Sequence, residues 1–260
     1  MGKKYFTISY DDGCVQDEQI IELMEKYGIR GTFNLNSGLF GTTERLYLLP
    51  RTDIAMSSKR WQKRHIIESV RVTEEKAQNL YKKDFIEVAS HGTQHLNESK
   101  LTKDELEKEI GDDIKSLSEM FGYPVRGHIL PFGLFNDDTI YAMKEGGISY
   151  CRKVSMLTKP KDFLFHADYG IIKPTCWHLD SFTKDLLQKF IDMPCSKTDP
   201  DQVFYMWGHG YELSFGTKRG NIAYLESLFE MVSKANDVIC VTNAELIDTI
   251  NSHIPNSEIV

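Results

Sequence analysis

The sequence predicts one α/β domain in which strands and helices alternate, either as a parallel-stranded barrel or as a doubly wound sheet. Seven short apolar segments of strand length recur along the chain, and amphipathic segments of helix length lie between them. The 260 residues, 41% hydrophobic and 27% charged, fit a single globular unit of this class. The sequence contains no internal repeat, low-complexity tract or interdomain linker, so we expect one domain over residues 1–260.

The predicted strands are residues 5–10, 31–36, 85–89, 127–130, 148–152, 203–207 and 238–242. The predicted helices carry apolar stripes at i, i+3 and i+4 spacing and are residues 16–27, 102–121, 136–145, 183–192, 220–234 and 243–252. The helix over 102–121 is marked most clearly, because Thr102 and Glu105 form a capping-box signature and Gly122 follows its last residue. Residues 41–71 fit the alternation poorly, and we interpret them as an insertion over one rim of the fold.

Composition excludes several classes of function. The net charge of −7 argues against nucleic acid or an anionic membrane as a partner, because both select basic surfaces. The five cysteines are widely spaced and form no CxxC pair, which excludes zinc-ribbon and thioredoxin-like sites and favours reduced thiols. The N-terminal segment lacks the apolar region of a signal peptide, and no stretch approaches the roughly 18 apolar residues of a membrane-spanning helix. We therefore expect a cytoplasmic protein, with a removed signal peptide as the weaker alternative.

Polar motifs follow three of the predicted strands. Asp11 and Asp12 follow the first strand, His91 and His95 follow the third, and His209 follows the sixth. The carboxyl ends of parallel strands lie at the same end of an α/β barrel, where active sites are built from the following loops. We therefore expect these side chains to meet at one rim.

Asp12, His91 and His95 form a candidate metal site, because one carboxylate and two imidazoles are an open ligand set for Zn²⁺ or Fe²⁺. The four-residue spacing of the histidines predicts that one helical turn aims both imidazoles at one point. Taken alone, the Asp-Asp-Gly sequence is a common turn and the histidine pair could lie on a solvated face. His209 alone could be an ordinary loop histidine, but the neighbouring Trp207 and Tyr211 predict a tight pocket with aromatic walls.

Together with the turn Pro131-Phe132-Gly133 after the fourth strand, these motifs resemble the polysaccharide deacetylase superfamily, which is NodB-like and forms carbohydrate esterase family four. The resemblance extends over nearly the whole chain in the expected order and spacing. It implies a distorted (β/α)7 barrel that removes acetyl groups from N-acetylated, less often O-acetylated, sugars with the help of a metal ion.

The resemblance also implies a role for each residue of the motifs. Asp11 would be the general base, and His209 would be the general acid. Asp12, His91 and His95 would bind one divalent ion, with Zn²⁺ favoured and Co²⁺, Mn²⁺, Fe²⁺ or Ni²⁺ also suited to the ligand set. The backbone N–H of Phe132, next to Pro131, would help to hold the oxyanion. Apart from the resemblance, the aromatic residues that flank His209, Trp207 and Tyr211, are expected to line the substrate pocket.

The sequence departs from the family pattern at three places. Tyr10 stands where the family usually has phenylalanine. Ile129 stands where the family has the arginine that orients the base; Arg126 lies three residues earlier, and on an alternating strand it need not point into the site. The acidic partner of the general-acid histidine has no clear counterpart, and the candidates are Asp168, Asp180 and Glu212.

These observations favour an acetylated carbohydrate as the partner, in the form of a soluble amino-sugar precursor or small glycoconjugate. Two alternatives remain open. The same barrel could hydrolyse another C–N bond as an amidase, although metal-free relatives of that kind lose ligands that this chain keeps. It could also be a non-catalytic carbohydrate-binding barrel, but Asp11 has no evident duty in such a protein.

Overall fold

The computed structural model describes residues 2–47, 66–154, 162–165, 167–168, 170–196 and 198–253. Its strands are β1 (Lys4–Asp11), β2 (Gly31–Leu35), β3 (Thr43–Tyr47), β4 (Ile66–Val70), β5 (Ile86–Ser90), β6 (Gly127–Ile129), β7 (Tyr150–Arg152), β8 (Ala167–Asp168), β9 (Ile171–Ile172), β10 (Cys176–Trp177), β11 (Gln202–His209) and β12 (Val238–Cys240). Its α-helices are α1 (Asp17–Tyr27), α2 (Glu74–Leu80), α3 (Lys103–Leu106), α4 (Asp112–Phe121), α5 (Asp137–Glu145), α6 (Thr183–Asp192), α7 (Ile222–Ser233) and α8 (Asn243–His253). The predicted α/β class is confirmed.

One large sheet carries the fold, with strand order β10-β11-β1-β2-β5-β6-β7-β9-β8 and with β12 added to β1. Its strand pairs are parallel except for β8 with β9. Strand β1 pairs with β11 along its whole length, so that Asp11 lies opposite His209. Because the strands run parallel, the residues at their carboxyl ends lie at one rim of the sheet.

The alternation of side chains along β1 separates the interior of the sheet from its helix-covered side. Phe6, Ile8 and Tyr10 belong to the largest apolar cluster, which includes residues of α1, α6 and α7. On the opposite face, Thr7 donates a hydrogen bond to Asn243, and Ser9 contacts the hydroxyl of Tyr205. Successive residues of a strand point to opposite faces, so Asp11 joins the polar interior.

The predicted helix over 102–121 is interrupted. The predicted capping box at Thr102 and Glu105 is present, but a π-turn, Glu107–Gly111, separates α3 from α4. Such turns insert one residue into the helical ladder and are frequent near functional sites. This one carries Glu109, whose contacts are described below.

The region that we interpreted as an insertion forms structure of its own at both ends. Strands β3 and β4 make a two-stranded antiparallel sheet separate from the main sheet, and the sequence patterns did not predict α2, which follows β4. Residues 48–65 of the predicted insertion lie outside the described part of the chain. Within the described part, no helix is long and apolar enough to cross a membrane.

Candidate metal centre

Asp12, His91 and His95 lie together at the rim, each with one possible ligand atom within 4.8 Å of the others. The Oδ1 atom of Asp12 is 3.9 Å from His91 Nε2 and 3.8 Å from His95 Nε2. The Nδ1 atom of His91 lies 2.8 Å from the carbonyl oxygen of Ile129, so Nδ1 carries the proton and the Nε2 lone pair points towards Asp12. Burial lowers the pKa of His91 to about 3, so its imidazole is neutral, the form that binds metal. This donor set fits a divalent ion.

The loop that carries the two histidines is not helical, so the predicted helical turn is wrong. Residues 91–95 form a bend in which Gly92 has φ +76° and His95 has φ +56°. The Glu109 carboxylate of the π-turn accepts hydrogen bonds from the backbone N–H groups of Gln94 and Leu96, each at 3.0 Å. The two amide groups therefore donate to Glu109 and not to a carbonyl group of a helical turn. The positive φ angles of Gly92 and His95 reverse the direction of the loop. The imidazole rings still meet, with their centroids 4.7 Å apart.

Asp11 is held by an arginine that sequence reasoning missed. The Nη2 atom of Arg152 lies 2.5 Å from both carboxylate oxygens of Asp11, and Asn34 donates a hydrogen bond to Oδ1 at 2.7 Å. Arg152 ends β7 and is the registered neighbour of Ile129 on β6, so the guanidinium comes from the strand beside the expected one. Arg126 instead pairs with Asp248 at the surface. The only signal in the sequence was an arginine at the end of a predicted strand.

The charge state of Asp11 follows from these contacts. Burial would raise the pKa of its carboxyl group, but the Arg152 guanidinium, with His91 and His209, lowers that pKa below its usual value. Asp11 is therefore a buried, ionised carboxylate at neutral pH. Such a group can accept a proton when a reaction step delivers one.

His209 lies between two aromatic rings and faces Asp11. Its ring stacks on Tyr211 with centroids 4.9 Å apart and meets the edge of Trp207 at 5.6 Å. Its Nε2 atom is 3.9 Å from Asp11 Oδ2, and its Nδ1 atom is 2.9 Å from Glu212 Oε1. Burial alone would lower the pKa of His209, but Glu212, Asp12 and Asp11 together raise it to about 9. The imidazolium form is therefore present at neutral pH.

Of the acidic candidates whose side chains the structure describes, Glu212 is the one that contacts His209. Its Oε2 atom also accepts hydrogen bonds from the backbone N–H of His209, from His178 Nε2 and from Trp177 Nε1. In the neutral form of His178, the Nε2 atom that donates to Glu212 carries the ring proton, and the Nδ1 atom is an acceptor. The hydroxyl group of Tyr10 lies 3.1 Å from Nδ1 and donates a hydrogen bond to it. Tyr10, which departs from the family pattern, thus has a polar partner that phenylalanine could not use.

The other two acidic candidates have different surroundings. The carboxylate of Asp180 accepts the backbone N–H of Trp177 at 3.0 Å. The side chain of Asp168 lies outside the described part of the structure.

The Pro131-Phe132 turn forms the opposite wall of the site. Phe132 has φ +59°, is 59% exposed, and its ring lies 4.7 Å from that of His95, whereas Pro131 is buried. Trp207 is also buried, and the guanidinium of Arg152 lies 4.9 Å above its ring. Trp207 therefore supports Arg152 and His209 from below, while Phe132 presents an apolar surface beside the histidine pair.

Within the described residues, the non-glycine positions with positive φ are Asp12, His95 and Phe132. Side chains with a Cβ rarely adopt this conformation, and it persists where the surrounding structure enforces it. All three lie at the candidate site. The backbone strain of this part of the molecule is thus concentrated where the polar groups converge.

Comparison with known proteins supports the resemblance seen in the sequence. Residues 1–151 match the profile of the polysaccharide deacetylase family. This range includes Asp11, Asp12, His91, His95 and Phe132, but ends before Arg152 and His209. Comparison with curated proteins gave no match.

Solved structures share the fold at low sequence identity. A Mycobacterium smegmatis protein assigned to the polysaccharide deacetylases gives a TM-score of 0.61 at 15% identity, over 99% of this chain and 96% of that one. The family 4 carbohydrate esterase of Streptomyces lividans, in complex with acetate, gives 0.52 at 12% identity over 91% of both chains. A CE4-family pseudoenzyme of Bacillus anthracis gives 0.52 at 16% identity, over 95% of this chain and 66% of that one. The chain therefore belongs to the polysaccharide deacetylase family and has the distorted (β/α)7 barrel of that family.

Proposed function

We propose that this protein is a metal-dependent deacetylase that acts on an N-acetylated sugar or a small glycoconjugate. One observation carries the proposal: the possible ligand set lies at the same rim as an ionised Asp11 and a protonated His209. These are the three components that hydrolysis of an amide needs, namely a Lewis acid, a base and an acid. We further propose that the chain acts as one catalytic unit on a soluble substrate.

Asp12, His91 and His95 would hold the ion. Among the candidate metals, Zn²⁺ suits this set of one carboxylate and two imidazoles best. When bound there, a divalent cation polarises a carbonyl group and lowers the pKa of water. Asp11, which is kept ionised by Arg152, accepts the proton of the attacking water. His209 donates its Nε2 proton to the departing amine, which leaves poorly as an anion. The backbone N–H of Phe132 is the proposed donor to the oxyanion.

The isosteric amides of the adjacent carboxylates test this division of labour. Asp11→Asn should keep the metal and lose turnover by about 10²-fold or more, the usual size of a general-base effect. Asp12→Asn should weaken metal binding itself. The measurement is acetate release from a panel of N-acetyl sugars and nucleotide sugars with defined metal, together with metal content by mass spectrometry.

Asp185→Asn on the exposed face of α6 is the matched control and should change neither quantity. Equal metal loss in the Asp11 and Asp12 variants would show that the two carboxylates share one role. Full turnover of Asp12→Asn without metal would favour the amidase alternative. Sugar binding without release of acetate, even from an aryl acetate, would favour a non-catalytic barrel.

A further inference from the structure

A buried arginine already contacts the carboxylate of the proposed metal site. The Nη2 atom of Arg71 lies 3.2 Å from Asp12 Oδ1, the same oxygen that faces the Nε2 atoms of His91 and His95. Arg71 is only 4% exposed. A fixed positive charge is therefore placed next to the position that a divalent cation would take.

The backbone on both sides of Arg71 is fixed in place, so the side chain emerges from a held position. Arg71 follows β4, forms an antiparallel bridge with Cys14 and donates its backbone N–H to Thr42 at 2.9 Å. The next residue, Val72, donates its N–H to the carbonyl oxygen of Gly13 at 2.9 Å. The hairpin of β3 and β4 is thus attached to the turn that contains Asp12.

The other contacts of the guanidinium are weak. Its Nη1 atom is 3.6 Å from the exposed carboxylate of Glu44, and its buried Nε atom has no hydrogen-bond partner among the described residues. Asp12 is therefore the main partner of the charge. Conversely, without a metal ion the buried Asp12 carboxylate has Arg71 as its hydrogen-bonded, permanently charged partner, and the His209 imidazolium adds to the compensation from a greater distance. An uncompensated buried charge is strongly unfavourable.

We propose that Arg71 is the counter-ion of Asp12 in the metal-free protein and that its charge weakens the binding of a divalent cation to Asp12, His91 and His95. Two positive charges that share one carboxylate oxygen repel each other, and burial reduces the screening of that repulsion. The arginine therefore stabilises the empty site and lowers its affinity for metal. Arg71 acts through Asp12 and is a positioning residue. This inference rests on the proposed metal site.

The test is Arg71→Gln, which removes the charge and keeps a polar side chain. The dissociation constant for Zn²⁺, measured by competition with a chromophoric chelator at pH 7, should fall at least about tenfold. The midpoint temperature of thermal unfolding, measured in the presence of excess chelator, should also fall. Arg45→Gln on the same hairpin, where the arginine is exposed, makes the same change of net charge and should alter neither value. Unchanged or weaker zinc binding by Arg71→Gln would overturn the proposal.

A second variant decides the outcome if Arg71→Gln does not fold without metal. The double variant Asp12→Asn with Arg71→Gln removes both charges, so it should fold in the presence of chelator. Failure of the double variant would show that Arg71 is required for packing alone and would overturn the proposal. The wild-type titration separates the two proposals: absence of zinc binding there contradicts the metal site, whereas wild-type binding without a gain in Arg71→Gln contradicts only the role of Arg71.

Discussion

Asp11 and Asp12 are adjacent in the sequence but have different partners because the strand ends between them. Asp11 is the last residue of β1 and points into the polar interior, where Arg152 holds it. Asp12 has φ +79°, and this left-handed turn directs its carboxylate towards His91 and His95. The different environments of two neighbouring carboxylates thus follow from one backbone dihedral.

The environment of His209 predicts a bell-shaped pH profile with a high alkaline limb. In the metal-free protein His209 stays protonated up to about pH 9, and the lowered pKa of Asp11 keeps the base ionised in weakly acidic solution. Glu212→Gln removes the largest cause of the raised pKa, so the alkaline limb of kcat/KM on an N-acetyl substrate should move down towards 6.5. Activity on an aryl acetate should change far less, because a phenolate leaves without a proton. The matched control Asp180→Asn should leave the alkaline limb at its wild-type position, and equal shifts in both variants would contradict the pairing of His209 with Glu212.

The pairing of His209 with Glu212 also contributes to the stability of the folded protein. The pKa of His209 in the folded protein lies above its ordinary value of 6.5, so the contribution is complete below about pH 6.5. It is lost as the pH rises through about 9.

At the scale of residues, the sequence predicted that Asp11 and Asp12, the histidine pair and His209 would meet at one rim, because each motif follows a strand of a parallel sheet. The sequence did not predict that Arg152 contacts Asp11. A motif gives the position of a residue along its own strand, but not which residue of the neighbouring strand lies beside it. It left Glu212 unresolved among three acids for a similar reason: only the three-dimensional path of the turn after β11 selects it. The metal-ligand and catalytic roles remain predictions.

The loop after β5 shows how an element can bring two ligands together without being helical. The four-residue spacing suggested a helical turn, but Gly92 reverses the chain and Glu109 fixes the amides that follow. The π-turn that delivers Glu109 leaves no mark in the apolar stripe of residues 102–121. Periodicity predicted the helix, therefore, but not the interruption that serves the site.

Substitution of Gly92 tests this loop. A Cβ atom there would lie 2.5 Å from Glu109 Oε1, at a φ of +76°. Gly92→Ala should therefore lower the free energy of unfolding by about 1–2 kcal/mol and weaken zinc binding at least about tenfold, because His91 and His95 move apart. Gly122→Ala is the matched control: its φ is +78°, but a Cβ meets no atom within 4 Å. Urea unfolding and zinc titration check both variants; zinc binding of Gly92→Ala equal to that of the control would refute this role of the loop.

At the scale of the whole molecule, the family profile covers only residues 1–151, yet the site is completed by residues beyond that range. Arg152 holds Asp11, and His209 on β11 faces it. In the sheet, β11 lies directly beside β1 and is paired with it at every position from Lys4 to Asp11. The matched segment is therefore not a separate structural unit.

A fragment of residues 1–151 should consequently fail to fold. Without β11 and β12, strand β1 loses its partner along its full length and a further partner at Lys4–Phe6, and of its described pairings only that with β2 remains. Its apolar side chains also lose the cover of α6 and α7. Circular dichroism should show little ordered structure and no cooperative thermal transition, in contrast to the full chain. A sharp transition of the fragment, with zinc bound, would show that the first part of the chain is autonomous.

The pairing of β1 with β11 also determines when the protein can fold. Lys4 must find Gln202, and Asp11 must find His209, across almost two hundred intervening residues. Contacts of such long range make folding slow, since the chain closes a large loop before the pairing stabilises it. During synthesis, the first strand leaves the ribosome long before its partner and stays open to aggregation until that partner arrives. Asp11 and His209 therefore come face to face only in a late step of folding, after all the residues between them have been made.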